Sequence, residues 1–261
     1  MLFRSLPSYE FLKDYQPPLA SRLYANDCQL IKEYALQRRF FKPLDQIPQQ
    51  LIQAFLAAED KNFYYHFGLD FSGLFRAILT NTLKRSWQNR PLGASTITQQ
   101  VAKNFLVGNE ASFKRKLKEA VMSIRLELSF SKYRILELYL NQVYLGRGSY
   151  GVTAAAQAYF GKSLEELSLE ECAFLAALPK APAIYDRDAQ TKKVQSRRDW
   201  VLDRLNQEGV ITLQDCRSAQ SLPVTILKPG SLLFNADYFA EEVRRQLPGY
   251  LNQPDLLKAG L

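Results

Sequence analysis

Between residues 46 and 208 the apolar side chains recur at helical rather than strand spacing, and this periodicity limits the folds open to the chain more than any other feature. Leu51, Ile52, Phe55 and Leu56 share one face of a helix that opens at Pro48 and carries Glu59 near its C-terminus. Phe71, Leu74, Phe75, Ile78, Leu79, Leu83 and Trp87 form a second stripe, with Arg76, Lys84 and Arg85 beside it. Thr96 and Gln99 have the spacing of a capping box. The helix they open turns Gln99, Gln100 and Lys103 one way and Ile97, Val101 and Phe105 the other. Phe113, Leu117, Val121, Ile124 and Leu128 make a strong stripe over residues 112–128 that reads as core, with Arg115, Lys118 and Glu119 on the opposite side. Further helices are expected over 132–143, from the Ser168/Glu171 box to Pro179, over 200–208 before Gly209, and over 237–247. Strand signals are confined to a hairpin within residues 21–44 and to Pro223–Leu227. The fold class is therefore mostly α.

The chain has 261 residues, enough for one large domain or two small ones. Its net charge of +8 suits an anionic partner: nucleic acid, an anionic membrane surface or a phosphorylated substrate. Cys28, Cys172 and Cys216 form no CxxC pair and no disulfide framework, and Cys172 reads as a buried free thiol. A single histidine excludes a His-rich metal site. No stretch approaches the ~20 apolar residues of a membrane span. Residues 1–20 carry Arg4, Glu10, Lys13 and Asp14 with Pro7, Pro17 and Pro18, so they read as an extended arm and not as a signal peptide or anchor.

Chemistry concentrates in two segments. Glu59-Asp60-Lys61-Asn62-Phe63-Tyr64-Tyr65-His66-Phe67-Gly68 places a carboxylate at the end of an apolar helix and brings in the only histidine. Gly93-Ala94-Ser95-Thr96-Ile97-Thr98-Gln99-Gln100 is a polar loop entering the helix that carries Lys103. A carboxylate base beside a cation is what sugar transfer with an anionic leaving group requires. Each residue has a bland rival. Glu59 alone reads as a surface helix end, His66 and Asn141 as structural, and Gln99 and Gln100 as a solvated face. Ser129-Phe130-Ser131-Lys132 matches the SxxK of penicillin-reactive serine enzymes, but no Lys-Thr-Gly accompanies it, so the match reads as chance.

Five segments occur in a fixed order: Glu59-Asp60-x-x-Phe63-x-x-His66-x-Gly68; Gly93-x-Ser95-Thr96-Ile97-Thr98-Gln99-Gln100; Arg115-Lys116-x-x-Glu119; Arg134-Ile135-Leu136-Glu137-x-Tyr139-Leu140-Asn141; and Tyr150-Gly151 through Ala154-Ala155-Ala156 to Tyr159-Phe160-Gly161-Lys162. Over residues 20–215 the chain resembles a peptidoglycan glycosyltransferase of glycosyltransferase family 51, as found in class A penicillin-binding proteins of the 1A type. The resemblance implies a lysozyme-like, two-lobed helical domain, a head plus a smaller jaw, with a short N-terminal β-hairpin. It implies polymerisation of lipid II into β-1,4-linked glycan at the outer, periplasmic face of the cytoplasmic membrane, with undecaprenyl pyrophosphate leaving.

On this resemblance the base carboxylate is Glu59 and the second carboxylate Glu119. The pyrophosphate cations are Lys103 and Lys118. Arg115, Ser95, Thr96, Gln99 and Gln100 complete the substrate-binding set, with Asp60, His66, Lys116 and Asn141 in support. No cofactor is required, and Mg or Mn near Glu119 is the one divalent-cation candidate. The implied partners are lipid II, the growing glycan and other cell-wall synthesis proteins, with no nucleic acid; the stripe over residues 71–87 reads either as core or, lying between two substrate motifs with basic residues beside it, as a surface that dips into the membrane. Ala111 stands where many relatives carry an arginine, and Asp27-Cys28 where Asp-Gly is usual. The membrane anchor that precedes this domain in relatives is absent from the arm. Residues 216–261 resemble the linker toward a transpeptidase domain not present in the chain.

The residues themselves favour the same chemistry. Apolar neighbours and the negative end of its helix would raise the pKa of Glu59, which suits a base. An anionic leaving group needs positive charge more than a proton, and a single displacement inverts the anomeric centre. The rival readings are a lysozyme-like hydrolase or lytic enzyme, which needs a second carboxylic acid as proton donor, and a basic nucleic-acid-binding module.

Overall fold

The computed structural model describes residues 8–13, 15, 21–27, 30–34, 38–73, 95–107, 112–180, 192–227 and 237–250. The architecture is mostly helical. β1 (Ser21–Tyr24) and β2 (Leu30–Tyr34) pair antiparallel as the expected hairpin, with a bulge between Leu23 and Tyr24. β3 (Arg38–Arg39) pairs parallel with β4 (Ser149–Tyr150).

α1 (Gln49–Glu59) follows Pro48 and buries Leu51, Ile52, Ala54, Phe55 and Ala57, the face read from the periodicity. α2 (Ile97–Ala102) is short and almost wholly buried, and it continues as a π-helical turn, Lys103–Val107. It packs on α3 (Phe113–Ser129) and α4 (Lys132–Gln142). α5 (Val152–Phe160) leads to α6 (Leu169–Ala177), whose run from Cys172 to Ala177 is buried throughout. α1 lies against both α6 and α7 (Lys192–Gln207), and α8 (Leu213–Ser221) covers α7. α9 (Asp237–Tyr250) touches β2. Phe55 meets Tyr139 edge-on at 6.2 Å and Tyr159 meets Phe174 at 5.4 Å, so interlocking aromatic pairs tie the helices together. Truncating one such buried Phe to Ala typically costs about 3–5 kcal/mol.

Several expectations change. The stripe on α3 is not core: Leu117, Ile124 and Leu128 are 45%, 37% and 71% exposed, while Glu119, Met122, Ser123 and Leu126 face inward. Periodicity shows that a helix has two faces, and the packing of α2 decides which one is covered. α7 begins eight residues before Trp200, in the polar run Lys192–Asp199 that carries no stripe. Pro223–Leu227 joins no ladder. It is pinned instead by the Leu227 N–H donating to Tyr159 O at 2.8 Å and by Arg147 Nη1 donating to Leu227 O at 2.8 Å. A boundary at residue 215 would cut α8 in two.

The described part of the N-terminal arm, residues 8–13 and 15, is docked on the helices. Leu12 is fully buried, and the Arg134 guanidinium donates to the carbonyls of Leu12 and Lys13 at 2.9 and 3.0 Å. Cys172 and Cys216 are free and buried, and burial pushes the Cys172 thiol up to about 12. The SxxK residues are a helix junction: Ser131 caps α4, and Lys132 pairs with Glu127 at 2.7 Å. Among the described residues no helix is long and apolar enough to cross a membrane. Residues 74–87, Gly93, Ala111 and Cys28 lie outside the described residues.

Candidate active site

Glu59 is the last residue of α1, and its Oε2 accepts from Gln100 Nε2 of α2 at 2.8 Å. Burial raises its pKa, and the neighbouring charge of Asp60 pushes the same way. The Gln100 hydrogen bond, Arg197 and Lys180 oppose that rise. The outcome is a carboxylate that takes up a proton more readily than an ordinary glutamate, which suits a base working near neutral pH.

Lys180 ends the 3-10 turn Leu178–Lys180 after α6, and Arg197 sits on α7. Sequence reasoning missed both. Lys180 was hidden behind Pro179, read only as a helix stop. Arg197 falls in the part of α7 that shows no apolar stripe. The ammonium of Lys180 is itself pushed down by burial and by Arg197, and held up by Glu59. Lys180→Gln should therefore let the pKa of Glu59 climb further. The acidic limb of the pH–activity profile should shift to higher pH, and a limb that stays in place would contradict the coupling.

Asp60 and His66 fasten the loop that follows Glu59. His66 Nε2 donates to both Asp60 oxygens at 3.0 and 2.9 Å, and Asp60 Oδ2 also accepts the Ile97 N–H at 2.9 Å. One carboxylate thus joins the end of α1, the only histidine and the first turn of α2. The His66 carbonyl accepts from Lys132 Nζ at 2.8 Å, and that ammonium sits 4.4 Å from the centroid of the Phe63 ring. Gly68 has φ +83°, and a Cβ there would lie 2.9 Å from Ser123 O, so only glycine lets this loop rest on the α3 backbone.

Two members of the expected binding set form the capping box of α2. Thr96 Oγ1 donates to Gly68 O at 2.7 Å and accepts the Gln99 N–H at 3.1 Å, while Gln99 Oε1 accepts the Thr96 N–H at 2.9 Å. Both side chains are buried. The expected capping box is present. Of the two glutamines only Gln100 reaches Glu59. Asn141 is likewise engaged, with the Lys42 N–H and the carbonyls of Lys42 and Glu137.

Glu119 is 1% exposed. Arg115 Nη1 donates to one of its oxygens at 2.7 Å and Lys116 Nζ to the other at 2.6 Å. Lys116 Nζ also donates to Ser95 Oγ at 2.9 Å. A carboxylate so placed orients the two cations that flank it. Its partners are Arg115 and Lys116, not Lys103 and Lys118. Lys103 and Lys118 are partly exposed and have no carboxylate partner among the described residues. Both Glu119 oxygens already face cations, and no three His, Cys, Asp or Glu side chains converge among the described residues.

A family described as Transglycosylase matches residues 27–206. The chain is 47% identical over 251 residues to a protein of Rickettsia prowazekii (strain Madrid E) named penicillin-binding protein 1A, covering 96% of this chain and 32% of that one. It is 44% identical over 244 residues to the protein of the same name from Aquifex aeolicus (strain VF5), covering 93% and 33%. The solved structure of penicillin-binding protein 1A from Haemophilus influenzae aligns with a TM-score of 0.50 at 29% identity, over 92% of this chain and 25% of that one. The chain spans about a third of the length of the curated relatives it matches.

Proposed function

Because this chain belongs to the transglycosylase family, we propose that it polymerises lipid II into glycan strands for the bacterial cell wall. The observation that carries the reading is Glu59, a carboxylate of raised proton affinity held by Gln100 beside cations on two further elements. Glu59 takes the proton from the 4-hydroxyl of the acceptor sugar as the oxygen attacks the anomeric carbon of the donor. The new glycosidic bond forms as the bond to pyrophosphate breaks, and the electron pair leaves with the pyrophosphate. Lys103, Lys118, Arg115 and Lys116 neutralise that departing charge. One displacement inverts the anomeric centre.

A hydrolase would need a second carboxylic acid to protonate the glycosidic oxygen. Glu119, sealed between Arg115 and Lys116, is a poor candidate for that role. Soluble glycan strands without a lipid pyrophosphate test the distinction: the chain should leave them intact, and cleavage would favour the hydrolase.

The reaction takes place at the outer face of the cytoplasmic membrane, where lipid II presents its sugars. Residues 71–87 supply the contact. Tyr64, Tyr65, Phe67 and Phe71 support this assignment, because all four are exposed immediately before or at the start of that segment. Phe75→Asp with Ile78→Asp should abolish co-sedimentation with anionic liposomes at an unchanged far-UV circular dichroism spectrum. Undiminished co-sedimentation would remove the segment from the membrane interface.

A further inference from the structure

Lys103 marks the change of helix type at the end of α2: its own N–H still donates to Gln99 O and Gln100 O. It opens a π-helical turn that runs to Val107. Such turns are rare and gather at functional sites, where the widened backbone re-aims a side chain. Two residues on, the ring of Phe105 is met edge-on by Tyr15, with centroids 4.8 Å apart and planes at 85°. Tyr15 is itself firmly held. Its hydroxyl accepts from Arg39 Nη1 at 3.3 Å, and the same nitrogen donates to Gln142 on α4. Phe11 packs edge-on against its ring at 6.4 Å. The backbone is clamped by the Arg134 guanidinium, which donates to the carbonyls of Leu12, Lys13 and Tyr15 at 2.9, 3.0 and 3.3 Å. A stretch more than eighty residues away in sequence is thus fixed to α4 and presses one ring against the turn that begins with Lys103.

We propose that Tyr15 is a positioning residue for glycosyl transfer: by bracing Phe105 it holds the π turn in the shape that presents Lys103 to the leaving pyrophosphate. The inference rests on the reading of Lys103 as a pyrophosphate ligand. Lys103 has no carboxylate partner among the described residues to orient it, so its direction is set by the backbone that carries it. Beyond Lys103 that backbone leaves the regular i to i+4 ladder, and the Tyr15 ring is an aromatic brace on it from outside α2, α3 and α4. Misplacing a binding group by about 1 Å is enough to lose much of its effect.

The test is binding of undecaprenyl pyrophosphate to the whole chain in detergent, which stays measurable when turnover is lost. Tyr15→Ala should weaken binding about fivefold with Lys103 in place and less than twofold on a Lys103→Ala background, the coupling expected of residues that act through one another. Tyr15→Phe keeps the ring on Phe105 and should bind like the wild type. Phe105→Leu approaches the same contact from its other side and should reproduce the loss, so the test survives if Tyr15→Ala does not fold. Equal weakening on both backgrounds would overturn the proposal, and so would no weakening with Lys103 present. If Lys103→Ala alone binds as tightly as the wild type, Lys103 is not a pyrophosphate ligand and this inference falls with that reading. A strong Lys103 effect with no Tyr15 effect defeats the positioning role alone.

Discussion

Glu119→Gln is expected to lower lipid II polymerisation about 100-fold without moving the acidic limb of the pH–rate profile. The carboxylate is buried and holds Arg115 and Lys116, with Lys116 bridging to Ser95. The amide keeps the shape but loses the charge, so the two cations lose their common anchor and drift from the path of the pyrophosphate. Removing one partner of a buried pair usually costs 3–5 kcal/mol, but the Lys116 side chain is 46% exposed and can hydrate, so about 2 kcal/mol is the expected loss in thermal unfolding. An acidic limb that vanished in this variant would make Glu119, and not Glu59, the group whose ionisation governs turnover.

Glu59→Gln should be the more damaging change. A general base contributes roughly 10²–10⁴ in rate, and Gln cannot accept the proton, so a loss of about 10³-fold is expected. The stability change should have the opposite sign. The folded-state pKa of Glu59 is raised, chiefly by burial, so the favourable contribution of its protonated form is full below the ordinary glutamate range. That contribution is lost as pH rises through the raised value. At neutral pH the ionised side chain is a cost that the amide does not carry. The variant should unfold at the same temperature as the wild type or a higher one, and a clear loss of stability would show that Glu59 is structural. Wild-type activity should fall on the acid side at a pH above the ordinary carboxylate range.

Much of this site can be read without coordinates because it is built from local signals. Thr96 and Gln99 announce a capping box, and Glu59 closes a stripe that begins at Leu51. What sequence cannot supply is the partner across space. The capping box that announces α2 also engages Thr96 and Gln99 with each other, and it is Gln100, outside the box, that bonds Glu59. Lys180 and Arg197 act on Glu59 from elements more than a hundred residues away, one behind a proline and one in a run of charges. α3 shows the same limit for the fold. Its stripe is genuine, but burial of Glu119 and Leu126 turned Leu117, Ile124 and Leu128 outward. Residues 1–20 read as an arm because the clamp on Leu12, Lys13 and Tyr15, Arg134, belongs to a helix that begins far along the chain.

The most direct measurement of the central claim is turnover of lipid II by this chain in detergent, with the products separated by length. The account predicts a ladder of glycan strands that lengthens with time, with undecaprenyl pyrophosphate released and inverted anomeric linkages. Accumulation of free disaccharide without a ladder would mean that water, not a sugar hydroxyl, is the acceptor, and would contradict the account.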